Sequence, residues 1–283
     1  MVHITYSDGV SIGRLAYYVP ALFVSVVVIA KHGARRAFGW IFLTIFCLIR
    51  IIGSAAQLDT INNNNPKTPE TIALVCTVLG LSPLLLSTLG ILTRVYHSIL
   101  DQTASTKFSF VVRAIQIPAT VALILCIVGA TNAQNPADID SESTVHIGII
   151  LFAVVYGVLV LLTGYALRQW RFAGLGESRL IIAVCVTLPF LAVRLLYSLL
   201  AAFSHDAKFN PATGSTSSIT IALVMETLQE AIVVLIYLAA GLMVPKATGD
   251  LGGKNQRSGH GGAAAPQQGY PLSEQQMYGQ SRV

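Results

Sequence analysis

Charged residues are scarce in this sequence. Only 11% of its 283 residues are Asp, Glu, Lys or Arg, whereas an ordinary soluble domain has about 25%. Hydrophobic residues make up 54% of the chain. A chain with so little charge cannot cover its apolar surface with polar groups in water. The composition therefore excludes an ordinary soluble globular protein and indicates a chain that faces lipid.

Cysteines, glycosylation sites and cofactor motifs are also few or missing. The polar connections predicted on the outer side contain no cysteine and no Asn-x-Ser/Thr sequon. The sequence has no phosphate-binding glycine loop, no G-x-S-x-G elbow and no metal-ligand motif. We therefore expect no disulfide, no metal and no cofactor. The four cysteines lie in apolar blocks, where a thiol packs as a small apolar group: Cys47, Cys76, Cys126 and Cys185.

The sequence instead contains seven long apolar blocks. Each has roughly 18 to 25 residues, enough at ~1.5 Å per residue to cross a hydrocarbon core ~30 Å thick. This pattern predicts an all-α bundle of seven transmembrane helices. The first block is too long for a signal peptide and has no basic segment before it, so we expect it to stay in the mature protein. The blocks cover residues 12–30, 38–57, 71–92, 109–130, 146–167, 180–203 and 218–244.

The basic residues sort to one side of the predicted bundle. They follow helices 1, 5 and 7 and flank the connection between helices 3 and 4, and the other side has only Arg14, Lys67 and Lys208. By the positive-inside rule, the N-terminus is outside and the C-terminus is in the cytoplasm. This topology explains the net charge of +5. We therefore expect the lipid bilayer, and no nucleic acid, as a partner.

The chain divides into two parts by composition. Residues 1–245 form the predicted transmembrane domain, with only short connections between the helices. Residues 246–283 are rich in Gly, Gln, Ser and Ala, a composition that cannot bury apolar surface and that predicts a disordered cytoplasmic tail. Seven helices also cannot divide into two equal inverted halves, which argues against one common transporter architecture.

Four ionisable residues lie well inside the predicted helices. They are Arg50 in helix 2, Arg194 in helix 6, and Glu226 and Glu230 in helix 7. A charge at such depth costs ~2.5 to 3.5 kcal/mol on insertion scales. Counted from the helix ends at ~1.5 Å per residue, both arginines and Glu226 fall in one layer of the outer half, with Glu230 about one turn deeper. We therefore expect the four side chains to form a single cluster.

Glu226 and Glu230 are four residues apart, so they lie on one helical face. Two carboxylates so close in a low dielectric require either arginine partners or one bound proton. The cluster has two interpretations: interhelical ion pairs without a ligand, or a polar site in a lipid-accessible cavity. We favour the second, because intramembrane ionisable residues usually mark functional sites. Glu230 and Glu226 are then candidate catalytic residues, and the candidate ligand-binding residues are Arg50, Arg194, Gln57 and Tyr197.

Three segments carry a resemblance to a known family. They are GWIFLTIFCLIRIIGSAAQL at 39–58, LSPLLLSTLGILTRV at 81–95 and METLQEAIVVLIYLAAGL at 225–242. In these segments the chain resembles a family of fungal seven-helix integral membrane proteins of largely unassigned function. G-protein-coupled receptors and rhodopsins fit less well. Helix 3 ends in Thr93-Arg94-Val95, and helix 7 lacks both Asn-Pro-x-x-Tyr and a lysine before Lys246 for retinal.

Fungal integral-membrane terpene cyclases are similar in length and architecture and use membrane carboxylates as acids. By this analogy, the most concrete hypothesis is an intramembrane enzyme of isoprenoid or secondary metabolism. In it, protonated Glu230 or Glu226 would donate a proton to a lipophilic substrate such as an epoxidised isoprenoid. A receptor or transporter for a lipophilic ligand held by Arg50 and Arg194 is the alternative, as is a purely structural membrane protein. The plasma membrane and the endoplasmic reticulum both stay open as locations.

Overall fold

A computed structural model describes residues 6–33, 38–60, 67–99, 102–132, 143–170, 175–204 and 215–244. All the regular structure within these ranges is helical. The elements are α1 (Tyr6–His32), α2 (Phe38–Asp59), α3 (Lys67–Leu79), α4 (Leu81–Ile99), α5 (Gln102–Asn132), α6 (Ser143–Arg168), α7 (Leu175–Phe203), α8 (Thr216–Ala222), a π-helical segment (Leu223–Leu228) and α9 (Gln229–Met243). The predicted tail, 246–283, lies outside the described residues.

Seven of the described helical stretches are long and apolar enough to cross a bilayer. The predicted all-α, seven-span architecture is thereby confirmed, and the chain is a multi-pass integral membrane protein. Its orientation in the membrane and its division at residue 245 stay predictions. The spans are Tyr6–His32, Phe38–Asp59, Thr71–Ile99, Phe110–Thr131, Ser143–Arg168, Gly176–Phe203 and Thr216–Met243.

Large apolar side chains cover the outside of the bundle. Phe23, Phe110 and Leu161 are each about 70% exposed (68%, 76% and 73%). Such a continuous apolar surface would drive aggregation in water. In a bilayer it contacts acyl chains, and the helices satisfy their own backbone hydrogen bonds.

The centre of the bundle is α4, which is buried on nearly all sides. It packs against α2, α5, α6 and α7. Glycines allow the closest approach: a Cβ atom placed on Gly90 would lie only 2.6 Å from Gly39 Cα on α2. Small residues at helix crossings let backbones approach in this way in membranes. This crossing holds α2, and with it Arg50, against the central helix.

Two of the seven spans are irregular. The third span is broken at Gly80, between α3 and α4, where the Gly80 amide donates to the Thr77 carbonyl at 3.3 Å in a tight turn. The seventh span changes from α8 into the π segment and then into α9. The sequence predicted uninterrupted helices at 71–92 and 218–244, so both irregularities are corrections. Short π segments are frequent at functional sites.

The first and seventh spans run side by side at the same level. Thr220 Oγ1 donates to Tyr6 Oη at 3.5 Å, Arg14 Nε to Thr227 Oγ1 at 3.0 Å, and Tyr17 Oη to the Ala231 carbonyl at 2.6 Å. The partners are 214, 213 and 214 residues apart in sequence. Because this offset is nearly constant, the two helices are parallel and in register over about three turns.

Candidate functional site

The four intramembrane ionisable residues form one compact group, hereafter the charge cluster. Glu226 Oε1 accepts hydrogen bonds from Arg50 Nη2 at 2.8 Å and Arg194 Nη2 at 3.3 Å. Glu230 Oε1 accepts from Arg194 Nε at 2.8 Å and also from Arg50 Nη2. Each arginine therefore contacts both carboxylates, and the expected convergence of the four side chains is confirmed.

The charge cluster is buried and balanced in charge. Its arginines are 3% exposed and its glutamates 1% exposed. Two guanidinium groups face two carboxylates, so their attraction offsets the cost of removing each charge from water. Of the two alternatives for the neighbouring acids, the structure has arginine pairing.

The broken third span holds Arg194 in place. Arg194 Nη2 donates to the Thr77 carbonyl at 3.3 Å, one of the carbonyls at the end of α3, and Arg194 Nη1 donates to Ser198 Oγ at 2.6 Å. The last carbonyls of a helix lack intrahelical partners and carry partial negative charge, so they attract a cation. Gly80 and Pro83 were the sequence signals for this break, since glycine often ends a helix and proline fits the first turn of the next one.

Gly80 leaves room for the charge cluster. A Cβ atom at this position would lie 2.5 Å from Arg50 Nη2 and 3.0 Å from Glu230 Oε1. A side chain here would therefore push into the ion pairs. The residue also precedes the N-terminus of α4, where unpaired amides and the helix dipole favour negative charge. The break therefore gives the ion pairs room at Gly80 and places the N-terminus of α4 near the negative charge of Glu230.

Several polar atoms around the cluster have no hydrogen-bond partner among the described residues. Four such atoms are buried without a hydrogen-bond partner: Glu230 Oε2, Arg50 Nε, Ser54 Oγ and Tyr18 Oη. An unsatisfied buried polar group costs ~1 to 3 kcal/mol, so native structures contain few of them. Tyr18 is close enough to Glu230 and Arg50 for electrostatic interaction with both. The cluster thus has spare hydrogen-bonding capacity on the side of Tyr18.

A cavity of about 650 Å³ lies on that side, between the first and seventh spans. We call it the α1 groove. Its walls are mostly apolar and face the lipid side of the bundle, since Val224 and Leu228 on its rim are 47% and 49% exposed. Its lining includes Gly9, Gly13, Arg14, Tyr17, Tyr18 and Thr227.

Arg14 is the residue that the sequence reasoning placed wrongly. The charge pattern assigns it to the outer side as a topological charge, but its helix runs in register with the seventh span. The offset of 214 residues puts Arg14 level with Leu228, between Glu226 and Glu230. Its presence inside the first apolar block, two residues after the block begins, was a signal for this depth.

The two other predicted ligand-binding residues differ in position. Tyr197 is buried, and the Arg194 guanidinium lies 5.9 Å from its ring centroid, which is a cation–π distance. Gln57 is half-buried near the end of α2, and no hydrogen bond described for it reaches the charge cluster. The catalytic and ligand-binding roles of the predicted residues stay predictions. Among the described residues, no group of three or more His, Cys, Asp or Glu side chains could hold a metal ion.

Comparison with known proteins gives one match. A protein-family model described as "Domain of unknown function (DUF7702)" matches residues 4–247, a stretch that includes all seven spans. No curated protein and no solved structure matches the chain. The family description names no organism, so the expected fungal origin stays a prediction.

Proposed function

Since the chain belongs to the DUF7702 family, whose description gives no activity, we propose a function from the geometry of the site. The protein binds a lipophilic small molecule in the α1 groove, with the polar end of the molecule against Arg14, Tyr18 and Thr227. The observation that carries this proposal is an apolar cavity, lined in part by Arg14, Tyr18 and Thr227, beside a buried charge cluster with unsatisfied atoms.

The size and surface of the groove suit such a ligand. Small-molecule sites usually have volumes of ~300 to 1,000 Å³, apolar walls and a few polar groups that fix orientation. The groove has about 650 Å³, and its rim faces lipid. A ligand dissolved in the bilayer can therefore reach it sideways without crossing a headgroup layer.

Two glycines keep the groove open. A Cβ atom on Gly9 or Gly13 would meet no atom within 4 Å. These glycines therefore do not serve close packing against a neighbouring helix, unlike Gly39 and Gly90. Glycine inside a helix costs ~0.5 to 1 kcal/mol relative to alanine. Free space at two glycines that both line the groove supports a binding role.

Filling the groove tests the proposal. Gly13→Leu places a side chain in the cavity, and Gly157→Leu is the matched control, since Gly157 is also helical and free of neighbours within 4 Å. Two diazirine probes with the same alkyl chain are used, hexadecanol and palmitic acid. Photolabelling followed by peptide mapping should mark the Tyr6–His32 and Leu223–Leu228 segments in wild type and in Gly157→Leu.

In Gly13→Leu, labelling of these segments should fall about tenfold or more, the effect of ~1.4 kcal/mol of lost binding. If neither probe labels them in wild type, or if Gly13→Leu labels like wild type, the groove is not a binding site. The charge cluster would then be a structural element only. Binding without conversion of the bound molecule fits a receptor or transporter.

Acid catalysis is the second candidate, and one observation favours it. Glu230 Oε2 is buried and unpartnered, and the unpartnered Tyr18 hydroxyl belongs to a side chain that lines the groove and interacts electrostatically with Glu230. A proton on Oε2 would pass to an epoxide oxygen of an isoprenoid, and the carbocation would close a ring and lose a proton back to the site. Both arginines already contact Glu230 Oε1, as in a structural ion pair, so binding without chemistry has the stronger support.

Membranes containing the protein, supplied with an epoxide of farnesol, test this candidate. Wild type should form a cyclised product, and Glu230→Gln should lose it while photolabelling of the groove persists. Tyr18→Phe should slow the conversion, because it removes the unpartnered hydroxyl that interacts electrostatically with the Glu230 carboxyl group. A wild-type protein that binds the probes but leaves the epoxide unchanged would exclude this reaction.

A further inference from the structure

We infer that the ligand of the α1 groove is an amphipathic anion, a carboxylate or phosphate head on a long apolar chain, and that its head pairs with Arg14. This inference rests on the proposed function of the groove and adds the chemical class of its ligand. It depends on the charges in one layer of the bundle, on the position of Arg14 and on the unpartnered hydroxyl of Tyr18.

The layer around the charge cluster contains three arginines and two glutamates. Glu226 and Glu230 are both engaged by Arg50 and Arg194. Arg14 donates instead to a neutral group, through Nε at 3.0 Å and Nη2 at 2.5 Å, both to the hydroxyl of Thr227. No carboxylate among the described residues forms an ion pair with Arg14. Counted over the described residues, the layer therefore has one positive charge in excess.

Arg14 does not relieve this excess by extending toward the headgroups. Its guanidinium contacts Thr227, which lies at its own level in the parallel seventh span. Asp8, the nearest acidic residue before it on α1, is six residues away, ~9 Å along the axis. An arginine without an ion-pair partner is costly at membrane depth. An anion bound in the groove would remove this cost.

Tyr18 provides a second, independent observation. Its side chain lines the groove, is only 1% exposed, and has a hydroxyl without a hydrogen-bond partner among the described residues. The neighbouring Tyr17 hydroxyl is already used by the Ala231 carbonyl. A head with two or more acceptor oxygens can take a charge-assisted bond from Arg14 and a hydroxyl bond from Tyr18.

The rest of the groove selects the chain that is attached to the head. Its walls are apolar and open toward lipid, so they suit an alkyl or isoprenoid chain and exclude a small hydrophilic anion. A neutral lipid would fit the walls but would leave Arg14 unpaired. An amphipathic anion satisfies both ends of the cavity.

The two diazirine probes, palmitic acid and hexadecanol, have the same alkyl chain and differ only in the head. A difference in labelling therefore reports the effect of the charged head and not of the chain. In detergent at neutral pH, wild type should be labelled by the acid at about tenfold lower concentration than by the alcohol. Arg14→Gln should remove this preference, and Arg14→Lys should keep most of it. Arg113→Gln, at an exposed arginine on α5, is the matched control and should label like wild type. Thermal unfolding of each variant verifies that it is folded.

Equal labelling of the groove by the two probes in wild type would overturn the inference that the ligand is an anion. The groove would still be a binding site. An acid preference that persists in a folded Arg14→Gln protein would overturn the role of Arg14. Absence of groove labelling by both probes would overturn the proposed function itself.

The source of the anion is distinguished in nanodiscs. Discs of phosphatidylcholine alone are compared with discs that also contain phosphatidylglycerol. If phosphatidylglycerol suppresses labelling by the acid probe, the site takes an anionic phospholipid headgroup. If labelling is unchanged, the site selects a free lipophilic acid. Either result supports an amphipathic anion and names its source.

Discussion

Glu230→Gln removes one of the two negative charges that neutralise Arg50 and Arg194. In wild type, Glu230 Oε1 accepts from both arginines, and Glu226 Oε1 does the same. In the variant, two buried guanidinium groups share the single carboxylate of Glu226. The glutamine keeps the shape of the side chain and one acceptor oxygen, so the change isolates the charge.

The expected loss follows from this arrangement. Breaking a buried ion pair from one side costs ~3 to 5 kcal/mol of unfolding free energy, because the remaining charge stays uncompensated. Adding Arg194→Gln returns the cluster to one cation and one anion, the Arg50–Glu226 pair at 2.8 Å. The double variant should therefore regain part of the stability, and the coupling energy of the cycle should be ~0.5 to 3 kcal/mol.

The cysteines of the protein provide the assay. Cys47, Cys76 and Cys126 are buried and Cys185 is half-buried, so a thiol-reactive dye reports unfolding of detergent-solubilised protein during a thermal or dodecyl sulfate titration. Glu177→Gln, in the first turn of α7, is the control and should change stability by less than ~0.5 kcal/mol. A Glu230→Gln protein as stable as wild type, with no coupling to Arg194→Gln, would refute the reasoning that the cluster stabilises the bundle.

Two further predictions concern packing and topology. Gly241→Leu should destabilise the bundle by ~1 to 3 kcal/mol, since a Cβ atom there would lie 2.6 Å from Trp40 Nε1 and 2.7 Å from Val28 Cγ1. The same dye assay measures the unfolding of this variant. A variant as stable as wild type would contradict the prediction. Cysteine labelling of intact cells with a membrane-impermeant reagent should reach Ala137→Cys and not Gly262→Cys, because the basic residues place the C-terminus inside. The reverse pattern would contradict the orientation.

Hydropathy and helix length were sufficient to predict the seven spans. The convergence of Arg50, Arg194, Glu226 and Glu230 was also predictable, because charges buried at a common depth in different helices need one another. Depth follows from counting residues at ~1.5 Å each. The pairing geometry, in which each arginine contacts both glutamates, depends on the rotation of each helix about its axis. Counting residues gives depth only and could not predict it.

The break at Gly80 and the π segment could not be predicted in the same way. Both lie beside tertiary contacts of the charge cluster: Arg194 donates to the Thr77 carbonyl at the end of α3, and Gly80 lies against Arg50. The sequence LVMETL fits an ordinary helix, and although LVCTVLGLSP contains Gly80 and Pro83, both residue types also occur inside continuous transmembrane helices. Arg14 was misplaced for a related reason. From sequence alone, an arginine near a helix end is treated as a loop charge that sets the topology. Only its contact with Thr227 on the neighbouring span shows how deep Arg14 lies.

The cluster also has a consequence for how the protein is made. Arg50 precedes Glu226 by 176 residues, which a ribosome translating ~5 to 20 residues per second needs roughly 9 to 35 s to synthesise. During that interval, the second helix has an arginine at membrane depth without its carboxylate. Arg194 joins it before either glutamate exists. Insertion of the last span therefore completes charge neutralisation, and a nascent chain stalled before Glu226 exposes two unpaired cations to the machinery that inserts or degrades membrane proteins.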